Sequence, residues 1–133
     1  MKKVLCFGTF DILHEGHKKF LIDAKKQGDF LIANVISDKA VLENKKIKPI
    51  NNQRKRALNL KKLNIANKII AVSDDNTKNF LLIKNINSKV IAIGYDQKSN
   101  FIDELKNFLK KEGLKPRYYV SKELGGIHSS HLR

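Results

Sequence analysis

The chain has 133 residues, a 41% hydrophobic share and a formal charge of +14, which bounds it to one domain, 1–133, with room for a real core but not for two. No apolar run approaches the ~18 residues of a membrane span, and the single cysteine, Cys6, excludes an internal disulfide. Lys2 and Lys3 precede only a short apolar stretch with no small-residue cleavage site, so the expected location is the cytoplasm, away from any membrane.

In chain order, apolar runs rich in branched residues fall at 4–7, 30–36, 68–72, 90–93 and 118–120, each the length of a buried strand. Between them, apolar residues recur at three- and four-residue spacing: Phe20, Leu21 and Ala24, then Ala57, Leu58, Leu60 and Leu63, then Phe80, Leu81 and Ile83, then Ile102, Leu105, Phe108 and Leu109. That period is the buried stripe of a helix. Gly28 is the expected stop of the first of these helices, Asp75 or Asn76 the cap of the third, and Gly113 with Pro116 the stop of the fourth. The basic stretch 37–52, with Lys39, Lys45, Lys46, Lys48 and Pro49, reads as a long irregular loop. Strands alternating with helices need crossovers, and crossovers cover both faces of a parallel sheet. The expected fold is therefore α/β, a Rossmann-like, doubly wound, five-stranded parallel sheet with helices on both faces.

In such a sheet ligands gather beyond the carboxyl ends of the strands, where strand order reverses. The segment Gly8-Thr9-Phe10-Asp11-Ile12-Leu13-His14-Glu15-Gly16-His17 lies at one such end and holds two of the four histidines. Gly8 lets the backbone bend or approach a ligand, and a helix starting near Glu15 or Gly16 aims free N–H groups and the positive end of its dipole at the same space. That space suits a phosphate. His14 and His17 both reach it and can donate hydrogen bonds to phosphate oxygens as charge builds in a transition state, with Gly16 keeping the approach open. A metal pair is the competing reading of H-x-x-H; the glycine, the strand before it and the basic field favour an anion.

Gly8, Thr9, Phe10, Asp11, His14, Gly16 and His17 in this register resemble the signature of the nucleotidyltransferase superfamily that includes cytidylyltransferases, phosphopantetheine adenylyltransferase and archaeal FAD synthases. The resemblance implies attack of a substrate phosphate on the α-phosphorus of a nucleoside triphosphate, pyrophosphate as leaving group, and magnesium or another divalent ion accompanying the triphosphate. It further implies that His14 and His17 steady the phosphates while the turn at Thr9 and Phe10 supplies backbone contacts. Lys46 is similar to the family's mobile lysine on the loop after the second strand, and Arg54 to an arginine at the start of the next helix; by residue type alone both are ordinary surface charges. Gly94, Asp96 and Gln97, after the fourth strand, resemble the archaeal FAD synthase tetrad at the ribose, base or acceptor. Gly126, Ile127, His128, Ser129 and Ser130 form a glycine-led turn into hydroxyls, a phosphate-binding helix start. The segment from Glu123 lacks the arginine and first threonine of the cytidylyltransferase version, and His-Ser-Ser is similar to the FAD synthase one.

The resemblance thus implies transfer of AMP from ATP to FMN, with glycerol-3-phosphate cytidylyltransferase or a related sugar-phosphate enzyme as the alternative, and a homodimer. His128 and His131 repeat the spacing of His14 and His17, but neither pair has an acidic or thiol partner in sequence, so no structural metal is expected. A reading of another class, a non-catalytic basic nucleic-acid-binding module, draws on the +14 charge. It lacks aromatic residues interleaved with a basic stretch, and nucleic acid is not the expected partner.

Overall fold

The computed structural model describes residues 1–94 and 100–121. Among them, β1 (Lys3–Gly8), β2 (Phe30–Val35), β3 (Lys68–Ala71), β4 (Val90–Ile93) and β5 (Arg117–Val120) form one sheet in the order β3-β2-β1-β4-β5. Every pairing is parallel, with Lys3 opposite Phe30, Val4 opposite Val90, Ile32 opposite Lys68 and Val90 opposite Arg117. The chain first builds outward from β1 through β2 to β3, then returns to the other side of β1 for β4 and β5. Strand order therefore reverses between β1 and β4, and the crevice beyond their carboxyl ends is the switch point of the sheet.

β1 is central because its residues are apolar on both sides, and the period of two sends them to opposite faces. Val4 and Cys6 join Leu31, Ala33, Val35, Val90 and Ala92 in one core cluster, which Leu21 and Ala24 of α1 (Glu15–Lys25) and Leu60 of α3 (Gln53–Lys62) cover. Leu5 and Phe7 join Ile32, Ile91 and Ile93 in the other, beneath Ile83 of α4 (Asn76–Ile86) and Ile102, Leu105 and Leu109 of α5 (Asn100–Lys111).

The stretch 37–52 departs from expectation. It opens with α2 (Asp38–Lys45), capped by the Ser37 hydroxyl, which accepts from the Ala40 amide at 3.1 Å. Only Val41 of that helix is buried, so its apolar stripe is too thin to register as a period, while the Ser-Asp cap pair was the available signal. Asp75 caps α4, accepting from Thr77 N–H at 2.9 Å, and Gly113 follows α5 with φ +77°. Gly28 lies three residues past the end of α1. Its role is a close approach, since a Cβ there would stand 2.6 Å from the Lys2 carbonyl oxygen.

Candidate active site at the first strand-helix turn

The sequence places a glycine at the end of β1, and the reason lies two residues on. Phe10 is buried and sits in the left-handed region at φ +51°, a conformation that costs a β-carbon residue ~1–2 kcal/mol. Its ring occupies the space a side chain at position 8 would need: a Cβ on Gly8 would lie 2.6 Å from Phe10 Cζ. The glycine that sequence assigns to ligand approach thus makes room for the ring that closes the turn. The same ring stands 5.8 Å, centroid to centroid, from His17.

His14 and His17 form a reciprocal cap on α1. The Gly16 amide donates to His14 Nδ1 at 3.0 Å, and the His14 amide donates to His17 Nδ1 at 3.3 Å. In a neutral imidazole the nitrogen that accepts has no hydrogen, so each ring carries its proton on Nε2. Both side chains are thereby set as donors pointing away from the helix, with ring centroids 4.0 Å apart. His14 Nε2 is buried and has no hydrogen-bond partner among the described residues. A buried donor without an acceptor is rare, and here it stands at a helix N-terminus, where an anion is stabilised by amide groups and dipole together.

A strap joins this turn to the third helix. Asp11 accepts from the Ile50 amide at 2.6 Å through one carboxylate oxygen and from the Asn51 amide at 2.8 Å through the other, while the Asn51 side-chain amide donates to the Asp11 carbonyl at 3.1 Å. Gln53 donates from Nε2 to the carbonyls of Val35 and Val72, each at 2.8 Å, and so ties α3 to the chain just beyond the ends of β2 and β3. Arg56 is wholly buried. Its guanidinium donates to the Thr9 carbonyl at 2.7 Å, to the Asn51 carbonyl at 3.0 Å and to the Asp38 carboxylate at 2.6 Å.

Sequence reasoning singled out Arg54; the structure gives the reach into the motif turn to Arg56. Arg54 is exposed on the first turn of α3 and makes no hydrogen bond or ion pair among the described residues. Gln53, Arg56, Leu60 and Leu63 follow the three- and four-residue spacing of the inward stripe, which is the signal that distinguishes the two arginines. Lys46 is the left-handed cap of α2, φ +61°, with an exposed side chain. Gly94 follows β4 directly at the same end of the sheet. Asp96, Gln97, Gly126, Ile127, His128, Ser129 and Ser130 lie outside the described residues.

Cys6 is no nucleophile for this site. Burial pushes its thiol from 9.0 up to about 12, so it is protonated and inert near neutral pH. Among the described residues no three His, Cys, Asp or Glu side chains converge as a metal cage. The sequence expects free N–H groups at the start of α1, but those of His14, Gly16, His17 and Lys18 are taken by the cap itself; what remains at the turn for an oxyanion is the imidazole Nε2–H of His14 and the positive end of the helix dipole.

A family model described as Cytidylyltransferase-like matches residues 5–133. The chain belongs to that family. The cytidylyltransferase-like sheet and the two-histidine turn accordingly belong to a nucleotidyltransferase, an enzyme class that supersedes the non-catalytic binding module. A curated relative, the FAD synthase of Thermococcus sibiricus (strain DSM 12597 / MM 739), is 39% identical over 113 residues, 84% of this chain and 74% of that protein. The glycerol-3-phosphate cytidylyltransferase of Bacillus spizizenii (strain ATCC 23059 / NRRL B-14472 / W23) is 39% identical over 70 residues, 53% of this chain and 54% of that protein. Among solved structures, the lipopolysaccharide core biosynthesis protein from Thermoplasma volcanium GSS1 superposes with a TM-score of 0.80 at 27% identity, covering 93% of this chain and 98% of its own. Among the described residues no helix is long and apolar enough to cross a membrane.

Proposed function

We propose that this cytidylyltransferase-like chain is an FMN adenylyltransferase, forming FAD and pyrophosphate from ATP and FMN. The observation that carries the chemistry is the reciprocal histidine cap, which fixes both rings through Nδ1 and leaves the Nε2–H of His14 buried without an acceptor among the described residues. In the step itself an FMN phosphate oxygen attacks the α-phosphorus of ATP, the bond from that phosphorus to the bridging oxygen breaks, and pyrophosphate leaves with the electron pair. His14 and His17, at the positive end of the α1 dipole, hold the phosphate oxygens, whose charge grows as the new bond forms, and no covalent enzyme intermediate is required. The divalent ion, magnesium, enters as part of the ATP substrate on the phosphate oxygens.

Lys46 and Arg54, exposed at either end of the segment between α2 and α3, close over the β- and γ-phosphates in this reading. Thr9, Gly16 and Gly94 supply backbone at the crevice, with Asp96, Gln97 and Gly126 to Ser130 completing the nucleotide and acceptor contacts. FMN and ATP are favoured by the identity to the Thermococcus sibiricus FAD synthase over most of the chain. A cytidylyl transfer to glycerol 3-phosphate is the second reading, supported by the 39% identity to the Bacillus spizizenii enzyme over 70 residues. A cytoplasmic homodimer is the working assembly.

The test is product formation from ATP, CTP, GTP or UTP with FMN, glycerol 3-phosphate or heptose phosphate as acceptor, together with isotope exchange of labelled pyrophosphate into the triphosphate in the presence of that acceptor and its product. FAD from the ATP and FMN pair is the expected product, and silence with every pair refutes the reading. His17→Ala is expected to lower turnover ~100-fold or more, the typical loss on removing one transition-state donor, and wild-type turnover in that variant removes His17 from the mechanism.

A further inference from the structure

We propose that Arg56 is a positioning residue of this site: its buried guanidinium grips the Thr9 carbonyl and so holds the strained turn that aims the histidines, while anchoring the segment that carries Lys46. The proposal rests on the reading above only in its kinetic arm.

A fully buried guanidinium loses its hydration, and its one anionic partner among the described residues, Asp38, has a side chain 49% exposed to solvent. A buried ion pair of this kind is weak evidence for stability, because desolvation cancels much of the attraction. Its donors are nevertheless well used. Nε reaches the Asn51 carbonyl, and the two terminal nitrogens reach Thr9 and Asp38 in different directions. A planar fork can serve such divergent acceptors together, whereas an ammonium is a point charge on a flexible stem.

Each acceptor belongs to a different part of the site. Thr9 immediately precedes Phe10, whose backbone is left-handed and whose ring lies against Gly8 and beside His17. A strained conformation persists only where its surroundings over-determine it, and the guanidinium on Thr9 is one such constraint. Asn51 belongs to the strap that Asp11 holds through the Ile50 and Asn51 amides, five residues after Lys46. Asp38 opens α2, the helix that Lys46 closes. One side chain thus links the histidine turn to both ends of the lysine segment, and a shift of ~1 Å in either costs on the order of 100-fold in rate.

The experiment reads the imidazoles directly. Ring 15N shifts of His14 and His17 in the free protein are expected to show both rings as the Nε2–H tautomer in the wild type. In Arg56→Lys, with folding checked by near-ultraviolet circular dichroism, the His17 signals are expected to move toward a mixture of tautomers. Turnover is expected to fall ~10–100-fold with KM for ATP changed by less than ~3-fold, the pattern of an interaction expressed in the transition state. Folded Arg56→Lys protein with wild-type ring shifts overturns the proposal. If that variant fails to fold, Asp38→Ala, which removes the acceptor that orients the guanidinium towards Thr9, is read instead: a partial shift of the same signals supports the coupling and unchanged shifts overturn it. The spectroscopic arm needs no substrate, so silence of the wild-type enzyme with every nucleotide would refute the proposed function while leaving this result to stand or fall by itself.

Discussion

The two faces of the sheet are made by the same strands and carry different kinds of material. The face under α1 and α3 mixes small residues, Cys6, Ala24, Ala33 and Ala92, with Val and Leu, and among the described residues Phe10 is its buried aromatic. The buried Arg56 and the Gln53 amide sit on the helix that covers it. The face under α4 and α5 is built mainly from Leu and Ile around the buried Phe7, with partly buried Phe101 5.5 Å from Phe7 and Phe80 at 5.6 Å from Phe101 and 5.3 Å from Phe108, and it also holds the buried amides of Asn34 and Asn79. Aromatic packing of that sort concentrates buried area and dispersion, while the first face spends its volume on hydrogen-bonded chain that shapes a turn. The contrast assigns stability chiefly to one side of the sheet and positioning chiefly to the other, and substitutions can separate the two.

The largest effect is expected on the aromatic face. Leu105 is completely buried, so Leu105→Ala is expected to lose ~2–5 kcal/mol of unfolding free energy in urea, with turnover per folded molecule unchanged. A turnover loss of tenfold in protein that still melts like the wild type would mean that the faces are not independent. The converse substitution is Gly8→Ala on the positioning face. The new methyl meets the Phe10 ring, and overpacking of this kind costs ~1–3 kcal/mol. Here turnover is expected to fall together with stability, because the ring that must move also flanks His17. Loss of stability with full turnover would show that the Phe10 turn does not set the imidazoles.

The same division explains what could be read from the sequence. Strands with apolar residues on both sides announce themselves by composition, so all five and their parallel arrangement were legible, with ends within one or two residues. The position of the histidine pair at the strand-helix junction was legible from the glycine and the apolar run before it, and the structure places both rings at the start of α1. α2 was not, since a helix that buries only Val41 has almost no period, and its lysines imitate a loop. Arg56 was missed for a related reason. Arginine is usually a surface residue, and identity alone cannot tell Arg54 from Arg56; only the phase of the helix does. Asp11, expected among the nucleotide contacts, also accepts the strap amides, one on each oxygen. A carboxylate's partners two score residues away are set by the closed fold, which local spacing does not contain.

The smallest effect sharpens the comparison through pH. Cys6 is buried among the small residues of the positioning face, and burial raises its thiol from 9.0 to about 12. Between those values the unfolded chain has lost the thiol proton while the folded chain keeps it. The unfolded state then binds fewer protons, so this group's contribution to stability is intact below pH 9 and declines as pH rises towards 12, by about 1.4 kcal/mol per unit. Cys6→Ser has no titrating group at that position. The margin by which the wild type exceeds it in urea unfolding should therefore be constant from pH 7 to 8.5 and narrow steadily above 9, with lysine deprotonation common to both proteins and cancelling in the difference. Tyr118, on the aromatic face, is also raised by burial, but its ring is partly solvated, so the corresponding margin for Tyr118→Phe should narrow less. A wild-type margin over Cys6→Ser that stays flat through pH 10.5 would mean that solvent reaches β1 from the α1 side, and that the thinner face is not sealed as the packing around Val4, Cys6 and Ala92 implies.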